Sequence, residues 1–370
     1  MAGLVASLAL ACSGNRAPKP TPTEQVGPWG RLVSAVRTLE VPSGHVRAAD
    51  CEVPPQRWTF RGATREGLAG LLGGVGLSPT VTEELVRGAL CTTEACVVTP
   101  GAAVEGALSP EVRSALYARL ARDPRNVPQA LAFRRSAQHP ERWAPLADLV
   151  GGATLDRLTW RQGQAVLFSD LDLLCARVTD PAARVRLVEV LSRSEATMAW
   201  LVLDERTDVG ALVSWWGAWT TARELRPMLE DLARAPGGSR LDIANLLPPW
   251  ARRRVNTFPR REDPPQNCMD SALRFFSPED SGGAYLDPAA VGEVLARDYV
   301  QVPADRRRFG DVVVLCPPGG APVHAVNHVA GTLVFSKDGA WFRRPWLLEP
   351  LAEVQALYPD ATELRVYRRR

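Results

Sequence analysis

Residues 266–276 read QNCMDSALRFF, and residues 309–339 read FGDVVVLCPPGGAPVHAVNHVAGTLVFSKDG. In the first stretch Asn267 is a helix cap, Cys268 falls in the first helical turn, and Ala272, Leu273, Phe275 and Phe276 supply apolar anchors. In the second, Gly310-Asp311 turns into a buried strand over 312–315. Cys316 to Gly320 forms a turn, 323–330 is a second strand, and 331–339 is a further turn and a third strand. A helix backed by a small antiparallel sheet follows, so the fold class is α+β.

A thiol at a helix N-terminus faces unpaired backbone N–H groups and the positive end of the helix dipole. Both favour thiolate, and the same N–H groups are donors for an oxyanion. His324 lies near the start of the second strand, 56 residues after Cys268, where an imidazole reaches the helix end across a cleft. Thiol chemistry needs that imidazole as proton acceptor and donor, and the imidazole needs a third polar group to set its tautomer. Ser336, Lys337 and Asp338 are the nearby candidates. Asp338 is preferred, because a carboxylate stabilises imidazolium whereas the Lys337 ammonium opposes it; the alternative for Asp338-Gly339 is a plain turn. His328, four residues beyond His324, points to the same side of the strand and is the alternative base.

The order of helix-start cysteine, GDVVVL, strand histidine and polar residue after a turn resembles the papain-like fold of NlpC-type cell-wall peptidases and related cysteine amidases. Their usual D-C-S, G-D-L-V-F-F and H-V-G-I-Y motifs are matched by Asn267-Cys268-Met269, by Gly310-Asp311-Val312-Val313-Val314-Leu315, and by His324-Ala325-Val326-Asn327-His328. The likeness covers roughly residues 255–345. It extends to a bacterial lipoprotein group with a helical N-terminal region, whose V-F-T-K-N-G is matched by Val334-Phe335-Ser336-Lys337-Asp338-Gly339. Asn267 replaces the usual Asp and keeps the cap without its charge; His328 stands where Tyr is usual. For the usual Tyr upstream of the cysteine, Asn256 and Phe258 are the nearest residues, and Gln266 is the side-chain candidate for the oxyanion. The resemblance implies a catalytic set of Cys268, His324 and Asp338, positioning by Gln266 and Asn256, no cofactor and no metal. The implied substrate is a peptide or peptidoglycan-like amide. The competing reading is a catalytically silent domain that serves as a binding module.

Upstream, LLPPWARRRVNTFPRREDPPQ (246–266) combines five prolines with five arginines and is expected as an extended connector, with a domain boundary near Arg252. Residues 25–251 are expected to form a mainly helical domain and 252–370 the papain-like domain. Ser109-Pro110-Glu111 caps a helix whose Val112, Leu116 and Leu120 share one face, Asp180-Pro181 starts another, and Thr221 caps a third that ends at Pro236-Gly237-Gly238. Trp215, Trp216 and Trp219 are expected in a core, with a carbohydrate or peptide platform as the alternative. The segment 277–288, SPEDSGGAYLDP, is long enough for a lid or a surface excursion.

At the N-terminus MAGLVASLALA precedes Cys12 and a Pro-rich polar stretch, which resembles a bacterial lipoprotein signal without the usual basic n-region. Residues 1–24 are thus expected as signal and tether, with Ala11 before a lipidated Cys12 and the protein in the cell envelope. The alternative is a cytoplasmic chain with a frayed apolar end. The 370 residues are 46% hydrophobic and 23% charged, which excludes a disordered chain, and the net charge of +3 speaks against nucleic acid as a partner. Of seven cysteines, Cys91 and Cys96 are spaced for a local disulfide, while Cys175 and Cys316 are expected as buried free thiols. Four histidines make a His-rich metal centre improbable; His45 and His139 are expected in structural or exposed roles.

Overall fold

The computed structural model describes residues 23–370, apart from 54, 124, 127–128, 130–131, 136–142, 163–164, 221 and 277–287. Cys12, His139, the Thr221 cap and nearly all of the 277–288 segment lie outside the described residues. The chain is mixed α/β, with helices and several antiparallel sheets. Strand β1 (Thr23–Gly27) and β2 (Gly30–Leu39) form a hairpin; β3 (Trp58–Arg61), β4 (Leu90–Cys91) and β5 (Ala95–Val98) form a three-stranded sheet. A second three-stranded sheet comprises β6 (Phe133–Arg135), β7 (Thr159–Gln162) and β8 (Ala165–Phe168). Strand β9 (Ser194–Leu203) returns to β2, and β10 (Ser239–Asp242) completes a four-stranded sheet in the order β1-β2-β9-β10.

Among the described residues, the region before residue 252 carries three sheets beside its helices, and strand pairing already begins at Thr23, which faces Ser34. The helices that caps announced do form. Ser109 Oγ accepts from the Val112 N–H at the start of Pro110–Leu120, and Asp180 accepts from the Ala183 N–H at the start of Pro181–Leu191. The strands escaped because six of them, β3 to β8, are only two to four residues long, too short for a period of two to stand out.

The C-terminal sheet has six antiparallel strands in the order β11-β16-β12-β13-β14-β15. These are β11 (Tyr299–Val302), β12 (Val312–Cys316), β13 (His324–Ala330), β14 (Leu333–Lys337), β15 (Trp346–Pro350) and β16 (Glu363–Arg369). Every residue of β12, β13 and β14 is buried, so both faces are covered. The Cys268–Leu273 helix packs Met269 and Ala272 on Val312, Val314 and Ala325. The Leu351–Leu357 helix packs Leu351 and Val354 on Val313, Leu315, Val326 and Val334 from the other side. The alternating residues of one strand thus serve two layers.

Among the described residues, packing continues across residue 252. One core joins Leu32, Leu201, Trp216 and Leu229 to Phe275, Phe309, Val329, Phe335 and Trp346. The expected extended connector instead contains the helix Pro249–Arg254, whose Trp250 is buried edge-on against Phe335 and Trp346, and whose Arg254 guanidinium lies 4.3 Å from the Trp250 ring centre. The tryptophans 215, 216 and 219 donate their indole N–H groups to Val329 O, Trp29 O and Leu246 O, which favours packing over a ligand platform. Cys91 pairs with Cys96 as expected, but Cys175 is bonded to Cys51 rather than free; Cys268 and Cys316 are free and buried.

Candidate active site

Asn267 Oδ1 accepts from the Asp270 N–H at 2.9 Å and starts the Cys268–Leu273 helix with the thiol in its first position. Two side chains, Asn327 and Trp346, fix the helix on the sheet, and one ion pair braces it internally. Asn327 Nδ2 donates to Ala272 O at 3.0 Å and Gly310 O at 3.3 Å, Trp346 Nε1 donates to Ser271 Oγ at 2.9 Å, and Asp270 pairs with Arg274 at 3.0 Å, both buried. Gly310 has φ +84°, and a Cβ there would come within 2.0 Å of Phe276, so this turn requires glycine. Its neighbour Asp311 caps the turn through the Arg308 N–H and holds Arg368 with both oxygens, at 2.9 and 2.6 Å. The Gly310-Asp311 pair is thus architectural.

His324 begins β13 opposite Leu315, and its ring stacks on Tyr358 with centroids 4.8 Å apart. Nε2 meets Ser336 Oγ at 3.4 Å, Nδ1 is buried without a hydrogen-bond partner, and the Cys268 thiol lies close enough to act on the charge of the ring. Burial opposes ionisation of Cys268. The His324 charge and hydrogen bond, with the Ala325 N–H, outweigh it and hold the thiol below its ordinary value. Burial likewise disfavours the imidazolium, yet the Cys268 charge and hydrogen bond, followed by Asp338 and Glu349, hold His324 above its ordinary value. Each group thus favours the charged form of the other.

Asp338 does not take the role expected of it. The direct partner of the imidazole is Ser336, one of the three candidates, while Asp338 acts on His324 through charge. Its Oδ1 accepts from Tyr358 O–H at 3.4 Å, and Arg344 lies 3.8 Å away. Burial would raise this carboxyl, but Arg344, His324, Arg134 and Lys337 bring it below its ordinary value. Lys337 points to the other face, where its ammonium donates to the carbonyls of Gly339, Trp341 and Arg344 at 2.8, 3.2 and 3.2 Å. Burial pushes it down to about 7.

His328 is corrected as the alternative base. Same-side residues four apart on a strand are separated by about 13 Å, and His328 packs against the Trp215 ring, centroids 5.9 Å apart. Burial, followed by Arg307, pushes it down to about 3. Gln266 is buried just before the helix with Oε1 unpartnered. Asn256 has φ +60° and donates from Nδ2 to Met198 Sδ at 3.3 Å, while its N–H donates to Trp346 O, so it is committed to β9 and β15. His45 binds Pro259 O at 3.0 Å, a structural contact.

Residues that the sequence did not flag complete the surroundings. Glu349 on β15 is buried, has its charged form favoured by the Ser336 hydroxyl, and lies 3.6 Å from Arg134 of β6, which also pairs with Glu353. Burial pushes Glu349 up to about 7, against the pull of Arg134. A cavity of about 310 Å³ lies between β2 and β9 on one side and β14 and β15 on the other, and its polar wall includes Arg134, Asp338, Arg344, Glu349 and Glu353. Tyr358 and Glu349 carry no motif; only the stacking of the first on His324 and the register of the second diagonal to Ser336 mark them. Comparison with family models, with curated proteins and with solved structures finds no match to this chain.

Proposed function

We propose that the chain is an exported, lipid-anchored cysteine hydrolase that cleaves an amide bond in a peptidoglycan-like envelope peptide by way of a papain-like, NlpC-type domain. The observation that carries the reading is the pair of opposite shifts at Cys268 and His324, with the far nitrogen of the imidazole on Ser336. The thiolate attacks the amide carbonyl carbon, and the imidazolium passes its Nδ1 proton to the leaving nitrogen as the C–N bond breaks. Water, deprotonated by the same nitrogen, then cleaves the thioester, releases the carboxylic acid and restores the thiolate. Gln266, by its position beside Cys268, serves the oxyanion. Two disulfides support an oxidising compartment and so the envelope placement and the lipidated Cys12. The NlpC-type resemblance supplies the substrate class.

A second reading, a silent binding module, is favoured by one observation. Cys268 and His324 are only 8% and 1% exposed, and neither lines the 310 Å³ cavity. Alkylation of Cys268 by iodoacetamide against pH, located by peptide mass, separates the two. The hydrolase reading expects an apparent pKa below the ordinary thiol value of about 8.5 that rises in His324→Ala. Slow alkylation indifferent to His324 sinks it in favour of the binding module.

A further inference from the structure

Behind His324 the polar groups form a row across three strands: imidazole on β13, hydroxyl on β14, carboxyl on β15. Val334 pairs with Glu349 and Ser336 with Leu347, so Ser336 and Glu349 are diagonal neighbours on one face of the sheet. Ser336 Oγ touches Nε2 of His324 at 3.4 Å and sits diagonally beside the Glu349 carboxyl, whose charged form its hydroxyl favours. A hydroxyl has one proton to donate, so what it does toward the imidazole depends on what it does toward the carboxyl.

We propose that Glu349 is a positioning residue for His324: its carboxylate takes the Ser336 O–H, so that Ser336 accepts from Nε2–H and Nδ1 is left as the nitrogen that exchanges a proton with Cys268. This rests on the hydrolase reading of the same site and adds to it the residue that sets the tautomer. Nε2 keeps its proton in both states of the pair, and only the Nδ1 proton moves. With a neutral Glu349 the direction reverses. The carboxyl donates to Ser336, the hydroxyl proton turns to Nε2, and the imidazole carries its proton on Nδ1, where it cannot deprotonate the thiol.

The charged groups around Glu349 come from every neighbouring element. Arg134 of β6 stands 3.6 Å away and favours the carboxylate, as does His324 of β13; Asp338 after β14 opposes it. Arg344 of the following loop and Glu353 of the Leu351–Leu357 helix line the same cavity, with Glu353 sharing Arg134. Since burial lifts Glu349 to about 7, the tautomer lock weakens as pH falls through neutrality. Arg134 lies in the N-terminal half, so that half has a direct hand in the state of the imidazole.

The test is the pH profile of Cys268 alkylation in the full chain for wild type, Glu349→Gln, Ser336→Ala and the double variant. Glu349→Gln is expected to move the midpoint up by about one pH unit, a roughly tenfold loss of rate below it. The double variant should behave as Ser336→Ala alone, because Glu349 acts through that hydroxyl. A folded Glu349→Gln with an unmoved midpoint, or additive shifts, overturns the proposal. Where Glu349→Gln does not fold, long-range nitrogen–proton NMR of His324 in Cys268→Ala at pH 8 decides: Nε2–H is expected, and Nδ1–H overturns it. A wild-type thiol indifferent to His324 defeats the hydrolase reading; His324-dependent alkylation with no effect of Glu349 defeats this inference alone.

Discussion

His324 and His328 share one strand, yet their surroundings push their titrations in opposite directions. His324 meets the Cys268 thiol and two carboxyls, which outweigh burial; His328 packs on Trp215, and the charge of Arg307 adds to burial. A folded-state pKa of about 3 against an unfolded value of about 6.5 means that the folded protein binds fewer protons in that window. The contribution is fully present above pH 6.5 and is lost as pH falls toward 3. His328→Phe, which fills the same slot without a titrating group, is therefore expected to gain on wild type between pH 7 and pH 4, on the order of 2–3 kcal/mol at the acid end. Urea titrations of the two proteins at both pH values measure this, and parallel curves sink it. At the same scale the residue types in the motif were readable and their roles only partly so. Cys268 and His324 came together as expected, but Ser336 rather than Asp338 touches the imidazole: the two share a face, and Asp338 lies past the end of β14 while Ser336 lies within the strand.

Short elements take their start from caps, and the Cys268–Leu273 helix shows what that means for chemistry. The cap is the side chain immediately before the nucleophile, so Asn267→Ala should cost about 1 kcal/mol of stability. It should also slow Cys268 alkylation by loosening the turn that aims the thiol at His324. Asn267→Asp, which keeps the acceptor, should restore both; a capless variant as stable and as reactive as wild type refutes the assignment. The helices announced by Ser109-Pro110 and Asp180-Pro181, and the strands over 312–315 and 324–330, were legible for the same local reason. Strands β2 and β9 were not, although each runs ten residues. They form a two-stranded centre whose inner face alternates only loosely, with Ser34 and Thr197 among its buried residues. Polar residues in buried positions blur the pattern that periodicity relies on.

Across the whole molecule the halves on either side of residue 252 are joined by a common core and by Arg134, which spans 219 residues of sequence to reach Glu353. The disulfides differ in how much chain they close. Cys51–Cys175 spans 124 residues and Cys91–Cys96 only 5. Restriction of the unfolded chain predicts a loss of about 5 kcal/mol for the first and about 2 kcal/mol for the second. Cys51→Ala/Cys175→Ala should therefore lower the thermal midpoint more than Cys91→Ala/Cys96→Ala, measured by calorimetry side by side. The reverse order would show that the long bridge joins segments already held together in the unfolded chain.

Where the sequence acts over a few residues, it determined the outcome alone. Asn267 caps the helix, the glycine at 310 permits a turn that a Cβ would block, and the Val-rich stretch at 312–314 extends as a buried strand. The tertiary structure decided which groups meet: Ser336 and then Glu349 behind His324, Trp215 against His328, Cys51 with Cys175, and Arg134 in the wall of the C-terminal sheet. Caps and strand-forming preferences are local free energies. Partnerships across dozens or hundreds of residues depend on register and on the packing of layers, which no short stretch of the chain contains.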